Sequence, residues 1–269
     1  MRRVVRFESA DSVYVLELPL TRAEQEEGQS ARLALLRPPL MNYAADLQGS
    51  ATVVADVADI RHRAVLIDPD GADADLDEIR ALLRRIGRGK LWMRLSDGTE
   101  RWCWARAGEL ARYQVTHDKP IETGLSITFQ RLSDWYGAEQ RALTQAVTSS
   151  PASFTLVSDG TVLTRQLEIE IVSLNAGGFT NPQIRNVSAA MGFGVTASGS
   201  ASDQKILVTV NDVLSRRARF WNGTSWQDVP ITLGATQSEL FVLMPGSQLV
   251  QVEGVTNGIV TVRWYDAYA

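Results

Sequence analysis

Ser133-Asp134-Trp135-Tyr136-Gly137 falls almost at the midpoint of the chain. Before it, residues 125–130 alternate as a strand does; after it, residues 144–153 are small and polar. An aromatic-Gly knot between two such stretches reads as a domain junction. At 269 residues the chain is long for one domain and comfortable for two. The expected domains are 1–137 and 138–269. The halves differ in character, with denser charge in the first and more hairpin signals in the second.

Asp-Gly and Asn-Gly pairs suit two-residue type I′ turns, because both central residues take positive φ there. Four candidates occur: Asp97-Gly98, Asp159-Gly160, Asn222-Gly223 and Asn257-Gly258. The second pair would set Val157 opposite Val162 and Leu156 opposite Leu163. The last would set Val255 opposite Val260. Trp221 and Trp226 bracket Asn222-Gly223-Thr224-Ser225 and fit a pairing across that loop. The second half therefore reads as an antiparallel sandwich, with a further strand near residues 183–187. Its closing segment, residues 259–268, alternates so that Val260, Val262 and Trp264 share one inward face.

The first half mixes strands with one helix. Strands are expected over residues 4–8, 13–18, 32–36, 64–67, 90–95, 101–106, 113–116 and 125–130. Leu76, Ile79, Leu82, Leu83 and Ile86 fall at helical spacing and predict a helix over 76–86. Asp75 is placed to cap it with Glu78 as capping-box partner, and Gly87 or Gly89 to end it. Residues 21–30 are polar and rich in Glu and Gln, and fit a short helix or a surface loop.

Charge and composition exclude several functions. Lys and Arg total 27 against 31 Asp and Glu, for a net charge of −4. Neither half has the basic excess of a nucleic-acid binder, so no sequence-specific nucleic-acid binding is expected. No apolar run reaches the length of a membrane span. Met1-Arg2-Arg3-Val4-Val5-Arg6-Phe7 has no apolar core after its basic residues and does not read as a secretory signal. Cys103 is the one cysteine; His62 and His117 are the two histidines, far apart. No metal or cofactor site and no catalytic constellation is expected. The acidic run from Asp68 to Glu78 lacks calcium-loop spacing, since its glycine comes too early and Ile79 stands where a bidentate Glu is needed. Turn and helix capping explain it. Asn186-Val187-Ser188 and Asn222-Gly223-Thr224 match the glycosylation sequon but read as strand and turn residues.

The candidate site residues are therefore surfaces. Arg80, Arg84 and Arg88 at helical spacing make a basic stripe, read as a solvated face or a subunit contact. Trp92, Trp102 and Trp104 flank Asp97-Gly98 and read as core or subunit-interface packing, with a sugar-stacking platform as the alternative. Arg217 and Arg219 share one face of a strand. Trp135, Tyr136 and Gly137 mark the junction.

The order of elements resembles the distal tail (Dit) protein family of long-tailed bacteriophages. The resemblance rests on residues 63–67, the helix 76–86, the hairpin 90–106, the strand 125–130 and Asp134-Trp135-Tyr136-Gly137 as the junction. It continues in the strand and Pro-Gly turn Ser238-Glu239-Leu240-Phe241-Val242-Leu243-Met244-Pro245-Gly246-Ser247-Gln248-Leu249-Val250 and in the Tyr-rich last strand, residues 262–268. It covers about residue 60 to the end and departs over 21–59. The resemblance implies a mainly β fold with a minor helix: an N-terminal β-barrel or β-sandwich-like ring domain, then a C-terminal galectin-like antiparallel β-sandwich. True galectins carry His-x-Asn-Pro-Arg and Trp-Gly-x-Glu, and both are absent here. The function it implies is a structural hub of the virion tail tip. Such a hub is a homohexamer around the DNA path, meeting the tail tube protein, the central tail hub, the tape-measure protein and tail fibres. A two-domain carbohydrate-binding receptor-recognition protein is the alternative, and a glycan hydrolase with a sandwich accessory domain a third.

Overall fold

The computed structural model describes residues 3–18, 24–28, 59–67, 72–114, 122–174, 177–211, 216–232 and 241–269. The chain divides into two compact units, Met1–Ala138 and Glu139–Ala269. Each is antiparallel β.

The first unit comprises β1 (Arg3–Ser9), β2 (Val15–Glu17), β3 (Glu24–Gly28), β4 (Asp59–Ile67), α1 (Ala72–Ile86), β5 (Arg88–Arg94), β6 (Glu100–Gln114), β7 (Glu122–Arg131) and the start of β8 (Trp135–Val147). Pairing runs β2-β1-β5-β6-β7-β4-β3. β6 is long enough to change partners. Its first half pairs with β5, and from Ala105 on it pairs with β7, with a register shift between Ala107 and Leu110. The two expected strands at 101–106 and 113–116 are thus one strand through residue 114; residues 115–116 lie outside the described residues. The segment at 24–28 is a strand, not a helix or loop. β4 offers it a ladder partner, and the register sets Glu24 opposite Arg63 and Glu26 opposite Arg61. The expected strand at 32–36 lies outside the described residues.

α1 starts at Ala72, earlier than the apolar stripe indicates. Ala72 and Ala74 are strong helix formers and extend the helix backwards, so Asp75 falls inside it and is not the N-cap. Leu76, Leu83 and Ile86 are buried, as the stripe predicts. Gly87 ends the helix at φ +59°, its N–H donating to Leu83 O at 2.9 Å. Gly89 has a different task. A Cβ there would lie 2.0 Å from the Glu8 carbonyl oxygen, so β1 and β5 approach this closely only over a glycine. The Asp97-Gly98 hairpin forms, but not as a type I′ turn. Gly98 N–H donates to Leu95 O at 3.1 Å, and Gly98 alone of the pair has positive φ. This is a turn over Ser96-Asp97 closed by a left-handed glycine.

The second unit is a sandwich. It adds β9 (Ala152–Ser158), β10 (Leu167–Ser173), β11 (Phe179–Asn186), β12 (Met191–Val195), β13 (Ser198–Gly199), β14 (Lys205–Val210), β15 (Arg216–Trp221), β16 (Trp226–Val229), β17 (Ile231–Thr232), β18 (Gly246–Val255) and β19 (Gly258–Tyr268). One layer runs β16-β15-β14-β10-β19 and ends on the later part of β8. The other runs β17-β12-β11-β18-β9, with β13 beside β11. Alternation decides the faces: Leu167, Ile169 and Ile171 of β10 and Val260, Val262 and Trp264 of β19 all point inward. They meet Leu156, Ile184, Val250 and Val252 from the other layer in one apolar core.

Two expected hairpins do not form. β18 and β19 lie in different layers: Val255 faces Phe179 across its ladder, and Val260 faces Ile171. The chain therefore crosses between layers at Thr256-Asn257, whose N–H groups both donate to Gly178 O. Likewise β9 pairs with β18, setting Leu156 opposite Gln248 and Val157 opposite Ser247. Asp159-Gly160 instead turns the chain past β19, where a Cβ on Gly160 would lie 2.4 Å from Ala267 O. The Trp221–Trp226 pairing forms as read, with ring centroids 5.6 Å apart.

Trp264 is 5% exposed. Trp264→Ala is expected to cost roughly 3–5 kcal/mol in denaturant unfolding of the second unit. A variant melting within about a degree of the parent would contradict this packing. Gly89→Ala is expected to cost roughly 1–3 kcal/mol by forcing β1 from β5. Unchanged unfolding would show that the close approach is not needed.

Candidate functional site

The candidate residues separate into core and surface. Trp92, Trp102 and Trp104 are buried at 8%, 1% and 2% exposure, and offer no stacking face to a sugar. Trp102 sits at their centre. Its ring lies 6.4 Å from Trp92, 5.5 Å from Trp104 (edge-on) and 4.9 Å from Tyr136. The Lys90 ammonium stands 5.3 Å from the Trp102 ring, and the Arg6 guanidinium 4.1 Å from the Trp92 ring. The junction residues belong to the same packing. Trp135 and Tyr136 are buried, and β8 sets Tyr136 opposite Trp102 and Gly137 opposite Arg101. Ser133 completes the join: its hydroxyl accepts from Trp104 N–H at 2.9 Å and donates to Asp134 O.

The basic stripe is shorter than its spacing suggests. Arg80 and Arg84 are exposed on α1, and Arg80 pairs with Asp77 at 3.0 Å. Gly87 breaks the helix before Arg88, which instead opens β5 opposite Arg106. Beside the helix, the Arg85 guanidinium stands 5.9 Å from the Tyr14 ring.

Tyr14 belongs to a feature the sequence did not single out. Residues 13–18 read as a strand, but strand structure begins at Val15, and Val13 and Tyr14 complete the turn. Val13, Tyr14 and Val15 are exposed at 67%, 40% and 38%. The turn is held in one shape. Ser9 Oγ donates to Asp11 Oδ1 at 2.5 Å, Val13 N–H to the same oxygen at 3.2 Å, and Tyr14 N–H to Ser9 Oγ at 3.0 Å. Ser12 takes φ +58°. The Ser9 hydroxyl, and then the Val13 amide, hold the Asp11 carboxyl below its ordinary pKa. The result is an apolar hairpin tip next to the exposed Arg85.

The buried carboxylate of the second unit is committed to structure. Asp266 Oδ1 accepts from Ser158 Oγ (3.0 Å), Asp159 N–H (3.1 Å) and Trp264 Nε1 (3.2 Å). Its Oδ2 meets Arg141 Nε at 3.3 Å, and Arg141 also reaches Asp159. These bonds tie β19 to β9 and β8. Asn186 is buried and donates to Val242 O and Gln248 Oε1, so its sequon asparagine is a core residue. Among the described residues no cluster of His, Cys, Asp and Glu could hold a metal ion. No described helix is long and apolar enough to cross a membrane.

The fold is shared with hub and baseplate proteins of bacteriophages. The SPP1 Dit (gp 19.1) protein, whose structure is described as a paradigm of the hub adsorption apparatus in phages infecting Gram-positive bacteria, matches over 98% of both chains. Its TM-score is 0.51 and its identity 16%. Two structures of the phage p2 baseplate in its activated conformation, with Sr and with Ca, match over 98% of both chains at TM-scores of 0.54 and 0.52 and 9% identity. No protein-family model and no curated protein sequence matches the chain. At such identities what is shared is the fold.

Asp266→Ala strands a buried hydroxyl and an indole N–H, and is expected to cost roughly 1–3 kcal/mol. Arg141 is half exposed, so Arg141→Ala should cost below roughly 1 kcal/mol. Chemical denaturation of both variants checks the order; a larger loss for Arg141→Ala would contradict it.

Proposed function

We propose that this chain is a structural hub protein of a phage tail, located in the virion at the tail tip. Six copies form a ring that joins the tail tube to the central hub and surrounds the DNA path. The single observation that carries this reading is the two-unit fold, matched from end to end by the SPP1 Dit protein. The number six and the neighbours (tube protein, central hub, tape-measure protein and fibres) come from the resemblance.

The surface chemistry supports the reading. A cyclic ring closes through heterologous contacts, one patch meeting a different patch of the next copy. The first unit offers two unlike patches: the apolar tip Val13-Tyr14-Val15, and the arginines Arg80 and Arg84 of α1. The buried tryptophans Trp92, Trp102 and Trp104 serve such a contact from beneath, by making the sheet that carries it rigid. A conduit for DNA should not hold phosphates, and a chain of net charge −4 with no basic half suits that.

Antibody labelling of purified virions tests the location. Label confined to the tail end distal to the head is expected, and label along the tube or absent from particles would refute the reading. Val13→Asp is expected to block incorporation into tails while leaving the melting temperature of the isolated chain within about a degree, since exposed substitutions shift stability by under about 0.5 kcal/mol. Normal incorporation would remove the tip from the ring contact. The assembled ring is also expected to leave duplex DNA unbound at physiological salt.

A further inference from the structure

Four strands end the two layers of the second unit: β8 and β16 in one, β9 and β17 in the other. An edge strand leaves half of its main-chain N–H and C=O groups without a ladder partner. Edges that stay single are kept short, charged or interrupted by proline. Three of the four are kept so. β16 has four residues, among them Asp228, and Pro230 leads from it into β17, which has two. The later part of β8 exposes Glu139 and Arg141. β9 has none of these guards. Its seven residues, Ala152-Ser153-Phe154-Thr155-Leu156-Val157-Ser158, hold neither charge nor proline, and no charged residue occurs from Ala142 to Ser158. Phe154 and Leu156 point inward and are buried, while Val157 is 53% exposed. Leu249 and Val187 are exposed on the same layer. The ladder shows which groups of β9 are free. Val187 N–H donates to Leu249 O at 2.9 Å, so Leu249 turns its main-chain polar groups away from β9. Thr155 is the register partner of Leu249 and therefore turns its own N–H and C=O to the open side. Ser153 and Val157 do the same at a period of two, and among the described residues nothing bonds these groups.

We propose that β9 is a pairing edge for the β9 of a second copy, the two strands running antiparallel about Thr155. The sequence is self-complementary in that register. Thr155 meets its own counterpart, and Ser153 meets the partner's Val157. These are the residues whose N–H and C=O groups are free, so they exchange roughly six main-chain bonds. Between them Phe154 meets the partner's Leu156 on the inward face, an aromatic against an aliphatic side chain, and Thr155 packs on a second threonine on the outward face; both are favourable cross-strand pairs. No like charges are brought together, because the strand has none. Other classes of ligand find little here: β9 offers no cation to a polyanion and no exposed ring to a sugar. The contact is isologous and closes as a pair, unlike the heterologous contacts that close a ring. It stands on the second unit alone and does not depend on the hub reading.

The test uses the intact chain. One strand pair is smaller than a standard interface, so association is weak and is followed by sedimentation up to about 1 mM. Pairs are expected to accumulate with concentration, and amide hydrogen exchange at Ser153, Thr155 and Val157 to slow as they do. Thr155→Pro removes one outward N–H and leaves the ladder to β18 intact, since proline is tolerated on the open side of an edge strand. It is expected to weaken pairing at least tenfold. Val157→Lys is expected to do the same by charging the edge, and Thr155→Ser to leave pairing unchanged. Thermal melting of each variant, expected to stay close to the parent, separates loss of the edge from loss of the fold. Thr155→Cys is expected to join to its own counterpart through a short bis-maleimide, whereas the parent, whose one cysteine Cys103 is buried, does not react. The proposal is overturned if exchange at the three amides is the same at low and high concentration. It is equally overturned if pairs form that Thr155→Pro and Val157→Lys leave intact, or if Thr155→Cys gives no cross-link.

Discussion

Four side chains from four strands meet in one row: Arg6 of β1, Trp92 of β5, Trp102 of β6 and Tyr136 of β8. Each is directly opposite the next in register. Large aromatic side chains bury about 150–250 Å² each, and at about 25 cal/mol per Å² each contributes several kcal/mol. The row holds only in this register. A slip of one residue would turn Trp102 to the opposite face and bring Cys103 into its place. The row also explains the junction. Tyr136 is its last member, so the first unit holds the chain through the start of β8. In the second unit the same constraint acts through alternation. Val260 and Val262 of one layer share one core with Val250 and Val252 of the other.

What was legible in the sequence was what local chemistry decides. The stripe from Leu76 to Ile86 needs only helical periodicity, and Val260, Val262 and Trp264 need only alternation. Turn dipeptides were less informative. Asp-Gly and Asn-Gly report a local willingness to turn, but not whether the next strand lies beside the last or across the core. Asp97-Gly98 and Asn222-Gly223 join ladder partners, whereas Asp159-Gly160 and Asn257-Gly258 lead the chain between layers. Residues 24–28 lack the apolar alternation of a half-buried strand, and their partner β4 is more than thirty positions away.

The tryptophans show where residue type stops and context begins. Trp102-Cys103-Trp104 is apolar at every position, which marks a strand covered on both faces. That pattern was available and points to the core. Trp226 is followed by Gln227 and Asp228, polar on both faces, which marks a strand open to solvent. Arg88 was misplaced for another reason: its i, i+4, i+8 spacing is helical, but Gly87 intervenes. The hairpin tip at Val13-Tyr14-Val15 had no signal beyond its apolar character, because strand and exposed turn look alike over three residues.

A fold kept at 9–16% identity is one whose constraints are rows and alternations, which many sequences satisfy. The proposed hub role then rests on surfaces, of which the tip at Val13-Tyr14-Val15 is an exposed apolar one in the first unit. Reconstruction of the tail tip of intact virions by electron cryo-microscopy tests the central claim most directly. The account predicts this chain in a sixfold ring at the distal end of the tube, with contacts between copies made by the first unit. Finding the chain as a monomer on a fibre, or in a ring whose copies touch only through the second unit, would contradict it.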